Sequence, residues 1–219
     1  MIESNVRKLL DEIPPGVDIV AAAKTRSASE ITCAVKAGVK IIGENYAQEL
    51  LEVYDAVKEP VLWHFIGHIQ TNKVRQIVEK VDMIETLDSM RLAREIDKRC
   101  AVIGKVMPVL VEINIARESE KSGARPEDTE DFVRALAVYK NIEVKGLMTM
   151  GPPDADGEEA RSYFRQARVL FDKIKNLALK GADMKYLSMG MTSSYMAAVE
   201  EGANLVRIGT KIFGERNYD

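Results

Sequence analysis

The residue with most chemistry to offer is Lys24, which closes the run Val17-Asp18-Ile19-Val20-Ala21-Ala22-Ala23-Lys24-Thr25. Small and β-branched residues in such a run read as a buried strand, bracketed by Gly16 and a loop containing Ser27 and Ser29. Lysine is rarely buried without a partner. In a pocket poor in water its neutral form is favoured, and a neutral amine condenses with carbonyl compounds to a Schiff base. Taken alone, Lys24 reads first as the point where a strand reaches solvent. A second group of residues changes that reading. Ser188-Met189-Gly190-Met191-Thr192-Ser193 and Arg207-Ile208-Gly209-Thr210 combine hydroxyl donors with glycines that let a backbone approach an anion closely. Such turns suit a phosphate.

These residues need elements to position them. The spacing predicts a helix over 2–12, stopped by Pro14-Pro15-Gly16, and then a repeated alternation of short apolar strand and amphipathic helix. Strands fall at about 18–24, 40–44, 61–67, 82–87, 106–115, 142–149, 184–189 and 205–209. Helices fall between them at about 28–37, 46–57, 70–79, 89–100, 127–139, 157–179 and 193–201. Alternating elements imply parallel pairing with right-handed crossovers. Eight units close into a single (β/α)8 TIM barrel spanning 1–219, with the extra N-terminal helix filling the place of the eighth. An open doubly wound sheet is the alternative, but no G-x-G-x-x-G follows any strand.

In such a barrel the site lies at the C-terminal strand ends, often with a phosphate held after strands seven and eight. Lys24 at strand one and the cradle at strands seven and eight then suit a phosphorylated carbonyl compound. A sugar phosphate would make the protein a Schiff-base aldolase. Pyridoxal 5′-phosphate (PLP) would place its aldehyde on Lys24. Arg207, beside the cradle, would face a pyridine nitrogen and keep it unprotonated. An aldolase needs an acid or base beside the lysine, and strands four and six supply no clear candidate.

Composition narrows the classes. The chain has 219 residues, is 46% hydrophobic and carries a net charge of −3, which argues against affinity for nucleic acid or an anionic membrane. No apolar run approaches the roughly 18 residues that span a bilayer, and no signal peptide is visible, so a cytoplasmic protein is expected. The two cysteines, Cys33 and Cys100, fit no metal or redox spacing and read as small buried thiols. Trp63 and His64 read as structural, and the methionines at 148, 150, 189 and 191 as adaptable packing around the mouth. Lys121-Ser122-Gly123 fits either a loop ordered over the site or a solvated turn.

Six segments in order carry a resemblance. Ala22-Ala23-Lys24-Thr25, Gly43-Glu44-Asn45-Tyr46, His64 through Lys73, Gly146 through Met150, Leu187 through Thr192 and Arg207 through Gly214 together resemble the YggS-type pyridoxal phosphate homeostasis proteins. The resemblance implies a barrel similar to the N-terminal domain of alanine racemase, with PLP held as a Schiff base on Lys24. It implies that Ser188, Gly209 and Thr210 hold the phosphate with backbone help from Met189 and Ile208. Arg207 would approach the ring nitrogen, Asn45 would lie near the ring, and His68 would line the pocket. One departure is Thr192-Ser193-Ser194, where the family more often has serine followed by an acidic residue. That puts the capping of the next helix in doubt.

Three functions stay open at this point: a PLP carrier without robust turnover, an amino-acid racemase, and the aldolase. Racemisation needs a base on each face of the substrate α-carbon. In the racemases that this barrel resembles, the second base comes from an additional β domain. The sequence ends at Asp219, so that domain is expected to be absent. The carrier is then expected: a monomer that stores, buffers or delivers PLP, with PLP-requiring apo-enzymes as its partners.

Overall fold

Alternation of inward and outward residues along short apolar runs gives eight parallel strands. The computed structural model describes residues 1–118, 121–151 and 157–215. The strands are β1 (Asp18–Ala22), β2 (Ile41–Glu44), β3 (Leu62–Phe65), β4 (Met83–Leu87), β5 (Met107–Glu112), β6 (Ile142–Met148), β7 (Ala182–Ser188) and β8 (Leu205–Ile208). They form one closed barrel in sequence order, and the ring shuts where Val20 pairs with Arg207 and Ala21 with Ile208. The expected (β/α)8 architecture is therefore present.

The helices are α1 (Ile2–Glu12), α2 (Ala28–Lys36), α3 (Ala47–Tyr54), α4 (Val74–Ile77), α5 (Met90–Ile103), α6 (Thr129–Leu136), α7 (Gly157–Asn176), α8 (Tyr195–Glu200) and α9 (Thr210–Phe213). Helix α1 packs against α2 and α9, in the place an eighth barrel helix would take. Asn5 Nδ2 anchors it by donating to the Ile212 carbonyl at 3.0 Å. A capping box starts α2: Ser27 Oγ accepts from Glu30 N–H while the Glu30 carboxylate accepts from Ser27 N–H. Helix α8 has Ser194 at its N-cap without a side-chain cap, because Ser194 Oγ accepts from Met191 N–H instead.

Two apolar layers follow from the period-2 pattern. Val20, Ile41, Met83, Leu110, Met148 and Leu205 fill the barrel. Their neighbours along each strand, such as Ala21, Ile42, Ile84, Val111, Leu147 and Val206, pack outward on the helices. Trp63 is buried beside Tyr54, Cys100 is buried and Cys33 half-buried. Among the described residues, no helix is long and apolar enough to cross a membrane.

Three local expectations need correction. Strand β1 stops at Ala22 rather than running to Lys24, because Thr25 takes a left-handed φ of 65° and turns the chain. The helix expected at 70–79 is a 3-10 turn over Thr71–Lys73 followed by the four-residue α4. Segment 121–124 is not a solvated turn: Ala124 N–H donates to the Glu112 carbonyl at 2.8 Å, so this loop straps the end of β5.

Candidate functional site

At the C-terminal end of β1, Lys24 is half-buried, and its Nζ lies 4.9 Å from the centre of the Tyr46 ring. The residues after it hold the turn. Thr25 N–H donates to Glu49 Oε2 at 2.9 Å. Arg26 donates to the Gly214 carbonyl at 2.5 Å and lies over the Phe213 ring. Arg26 thus joins the lysine turn to the far end of α9.

The other end of α9 faces β1. A Cβ on Gly209 would come to 3.3 Å from the Ala22 carbonyl oxygen, a tight contact that a bare backbone avoids. Thr210 starts α9 and is half-buried. Helix starts leave N–H groups without intrahelical acceptors, and here they lie beside the end of β1, two residues before Lys24. Ile208 is fully buried on the outward face of β8.

At the end of β7 the donors are already engaged. Met189 N–H donates to the Leu205 carbonyl at 3.1 Å, and the Met189 side chain is fully buried. Gly190 adopts φ 90°, where a Cβ would meet Ala198 Cβ at 2.6 Å. Ser188 is fully buried, donates to Glu85 Oε2 at 2.7 Å and accepts from Arg207 Nη1 at 2.5 Å. Thr192, half-buried in the turn that follows, has no hydrogen-bond partner among the described residues.

Beside the apolar residues that fill the barrel lies a buried polar cluster. Arg207 Nη2 donates to the Thr149 carbonyl at 2.9 Å, and His64 Nδ1 lies 2.7 Å from Glu85 Oε1. Burial by itself would raise the Glu85 carboxyl. The hydrogen bond from His64, with Arg207 and Ser188, outweighs burial and holds it below the usual carboxylate range. Burial pulls the Arg207 guanidinium below its ordinary value, and Glu85 and Glu112 oppose that pull. Glu112 behaves differently: burial, then Asp88, pushes its carboxyl up to about 7. Strand four therefore does supply an inward carboxylate. Glu85 sits in mid-strand, where a reading of strand ends alone passes over it.

On the other side of Lys24, Asn45 follows β2 and is half-buried. It borders a cleft of about 500 Å³ with Tyr46, Gly67, His68 and Lys73. His68 is exposed; its Nδ1 shares a 3.2 Å hydrogen bond with Ser122 and lies 3.4 Å from Asp88. The strap over β5 and the end of β3 therefore meet across the mouth.

Comparison with known proteins places this arrangement. Residues 1–217 match the family described as alanine racemase, N-terminal domain. A pyridoxal phosphate homeostasis protein of Aquifex aeolicus is 42% identical over 204 residues, which are 91% of this chain and 87% of that protein. The chain belongs to the pyridoxal phosphate homeostasis protein family. The structure of PipY from Synechococcus elongatus PCC7942 with PLP bound superposes with a TM-score of 0.89 at 30% identity. That match covers 98% of this chain and all of PipY. An alanine racemase of Clostridium difficile shares the fold at a TM-score of 0.81 and 16% identity, and this chain spans 56% of its length.

The fold thus brings Lys24, Arg207, Gly209 and Thr210 to adjoining strands β8 and β1, with Ser188 and Met189 next along the ring on β7. Asn45 stands on the other side of Lys24, at the end of β2, and His68 stands beyond it after β3. Sequence reasoning passed over Glu85 and Glu49. The available signal was an acid inside the apolar run Met83-Ile84-Glu85-Thr86-Leu87.

Proposed function

We propose that this chain binds PLP covalently through Lys24 and serves PLP homeostasis without robust catalytic turnover. The observation that carries the reading is the likeness, over nearly the full length of both chains, to a structure described with PLP bound. When bound, PLP supplies an aldehyde that condenses with a primary amine, releasing one water.

The residues present fit that group. Lys24 offers the amine, and the Tyr46 ring lies 4.9 Å from its Nζ as one wall of the site. The Gly209 turn, where a side chain would crowd the Ala22 carbonyl, would hold the phosphate through the start of α9 and the Thr210 hydroxyl. Thr192 would add a hydroxyl from the β7 side. Ser188 reaches an anion only by giving up its bond to Glu85, and Met189 N–H only by giving up Leu205. Arg207 would donate toward the ring nitrogen, while Asn45 and His68 would line the β2–β3 side. The loaded protein would pass PLP to apo-enzymes that require it.

An absorption spectrum of the purified protein tests this directly. Uptake of PLP should give a visible band, and borohydride should fix the cofactor on the peptide containing Lys24. Lys24→Ala should lose the band with its thermal midpoint intact. A protein that takes up no PLP, or a band that survives Lys24→Ala, sinks the assignment. A chiral assay that found turnover of roughly 1–10³ s⁻¹ would replace the carrier with a racemase. Transfer to a PLP-dependent apo-enzyme no faster than from free PLP would remove the delivery role.

A further inference from the structure

Arg207 is a cation sealed inside the barrel, only 5% exposed, and a buried guanidinium is costly without a nearby negative charge. Two carboxyl groups stand near it, and they are not equivalent. Glu85 lies deep on the inward face of β4 with no exposure, its Oε2 3.9 Å from Arg207 Nη1. His64 and Ser188 each place a hydrogen bond on it at 2.7 Å, one per oxygen. Glu112, the last residue of β5, is buried as well, and its charge acts on Arg207 without a hydrogen bond to it.

The Ser188 hydroxyl closes the circuit. It accepts from Arg207 Nη1 and donates to Glu85 Oε2, so the serine proton is directed by the carboxylate and its lone pair by the guanidinium. Arg207 Nη2 is tied separately to the Thr149 carbonyl. Both terminal nitrogens are thereby pinned, and the fork cannot rotate without breaking a buried bond. We propose that Glu85 is a positioning residue that acts through Ser188 to fix the charge and orientation of Arg207 toward the bound cofactor's ring. This rests on the reading of Arg207 as the group facing that ring. It gives Ser188 a relay role inside the barrel in place of a direct phosphate contact.

The test compares wild type with Glu85→Gln and Ser188→Ala in the full-length protein, using PLP itself as the probe. Glu85→Gln keeps the shape and removes the charge, while Ser188→Ala removes the relay and keeps the charge. Both variants should still yield a borohydride-fixed adduct at Lys24. Each should bind PLP about tenfold more weakly and shift the absorption maximum of the bound cofactor at fixed pH. A folded variant with unchanged affinity and spectrum overturns the proposal, because a purely structural role would leave the spectrum in place. If Glu85→Gln does not fold, the double variant Glu85→Gln/Arg207→Met decides the matter in cofactor-free protein. Recovery of folding supports Glu85 as the counter-charge of Arg207, and failure to recover overturns it. An adduct missing from wild type would instead strike the Lys24 reading, leaving the stability comparison to judge Glu85 by itself.

Discussion

Gly67 is pressed against Asn45: a Cβ built on Gly67 would lie 2.1 Å from the Asn45 carbonyl oxygen. Thr86 Oγ1 donates to the Gly67 carbonyl at 2.7 Å and holds it there from the β4 side. The ends of β2, β3 and β4 are thus locked together at the rim where Asn45 enters the cleft. Gly67→Ala should cost about 2 kcal/mol or more from overpacking and weaken PLP binding by moving Asn45. Gly104→Ala is the control, since Gly104 closes α5 at φ 66° with nothing within 4 Å. It should cost about 1–2 kcal/mol of backbone strain and leave PLP binding alone. Urea midpoints and PLP titrations of both variants decide between local crowding and general fragility.

Thr25 holds strain next to the reactive amine. A β-branched residue at φ 65° costs roughly 1–2 kcal/mol, and the Glu49 carboxylate keeps it there by accepting its N–H. Thr25→Gly removes that strain, at roughly 0.5–1 kcal/mol of extra chain freedom in the unfolded state. The thermal midpoint should stay level or rise slightly, while the share of Lys24 trapped by borohydride at subsaturating PLP should fall. A midpoint several degrees lower would show that the threonine side chain stabilises the turn in some other way.

Arg26 links the lysine turn to α9 through the Gly214 carbonyl and the Phe213 ring. A charged hydrogen bond of this kind is worth about 1.5–3 kcal/mol, so Arg26→Ala should lower stability by about 2 kcal/mol. Arg26→Lys should recover only part of it, because an ammonium lacks the planar fork. PLP affinity should fall with both, and inorganic phosphate should protect the variants less than wild type in thermal melts. Equal protection would separate Arg26 from the phosphate side of the site.

Glu44 gives a pH prediction with a definite sign. Its side chain is fully buried, and burial, then Glu49, pushes it up to about 8 against the opposing pull of the Asn45 N–H. The unfolded carboxyl titrates at its ordinary value, so between that value and about 8 the folded state holds the extra proton. Stability therefore falls as pH rises through this window, by up to about 1.4 kcal/mol per pH unit, and levels off above it. Glu44→Gln should flatten the slope and overtake wild type at the alkaline end. Parallel denaturation curves from pH 5 to about pH 9 would reject a protonated Glu44.

How far the sequence carries depends on whether a property is local. Strand and helix order, the outward apolar faces and the place of Lys24 at the first strand end all follow from periodicity and from turn residues, which act within a few positions. Closure of the ring was legible for the same reason, since eight alternating units have few other ways to cover their apolar faces. The segments carrying the family resemblance also sit at strand ends, which a barrel gathers at one mouth.

Partnership across the barrel was not legible. Glu85 and Ser188 are 103 residues apart in the chain, and Glu12 and Lys211, which tie α1 to α9, are 199 apart. Periodicity says that Glu85, Ser188 and Arg207 face inward, but only strand tilt and register decide which atoms then meet. That is why the Ser188 proton goes to a carboxylate that a reading of strand ends passes over. It is also why the chain turns at Thr25, where the grip of Glu49 from another helix outweighs the backbone preference of a β-branched residue.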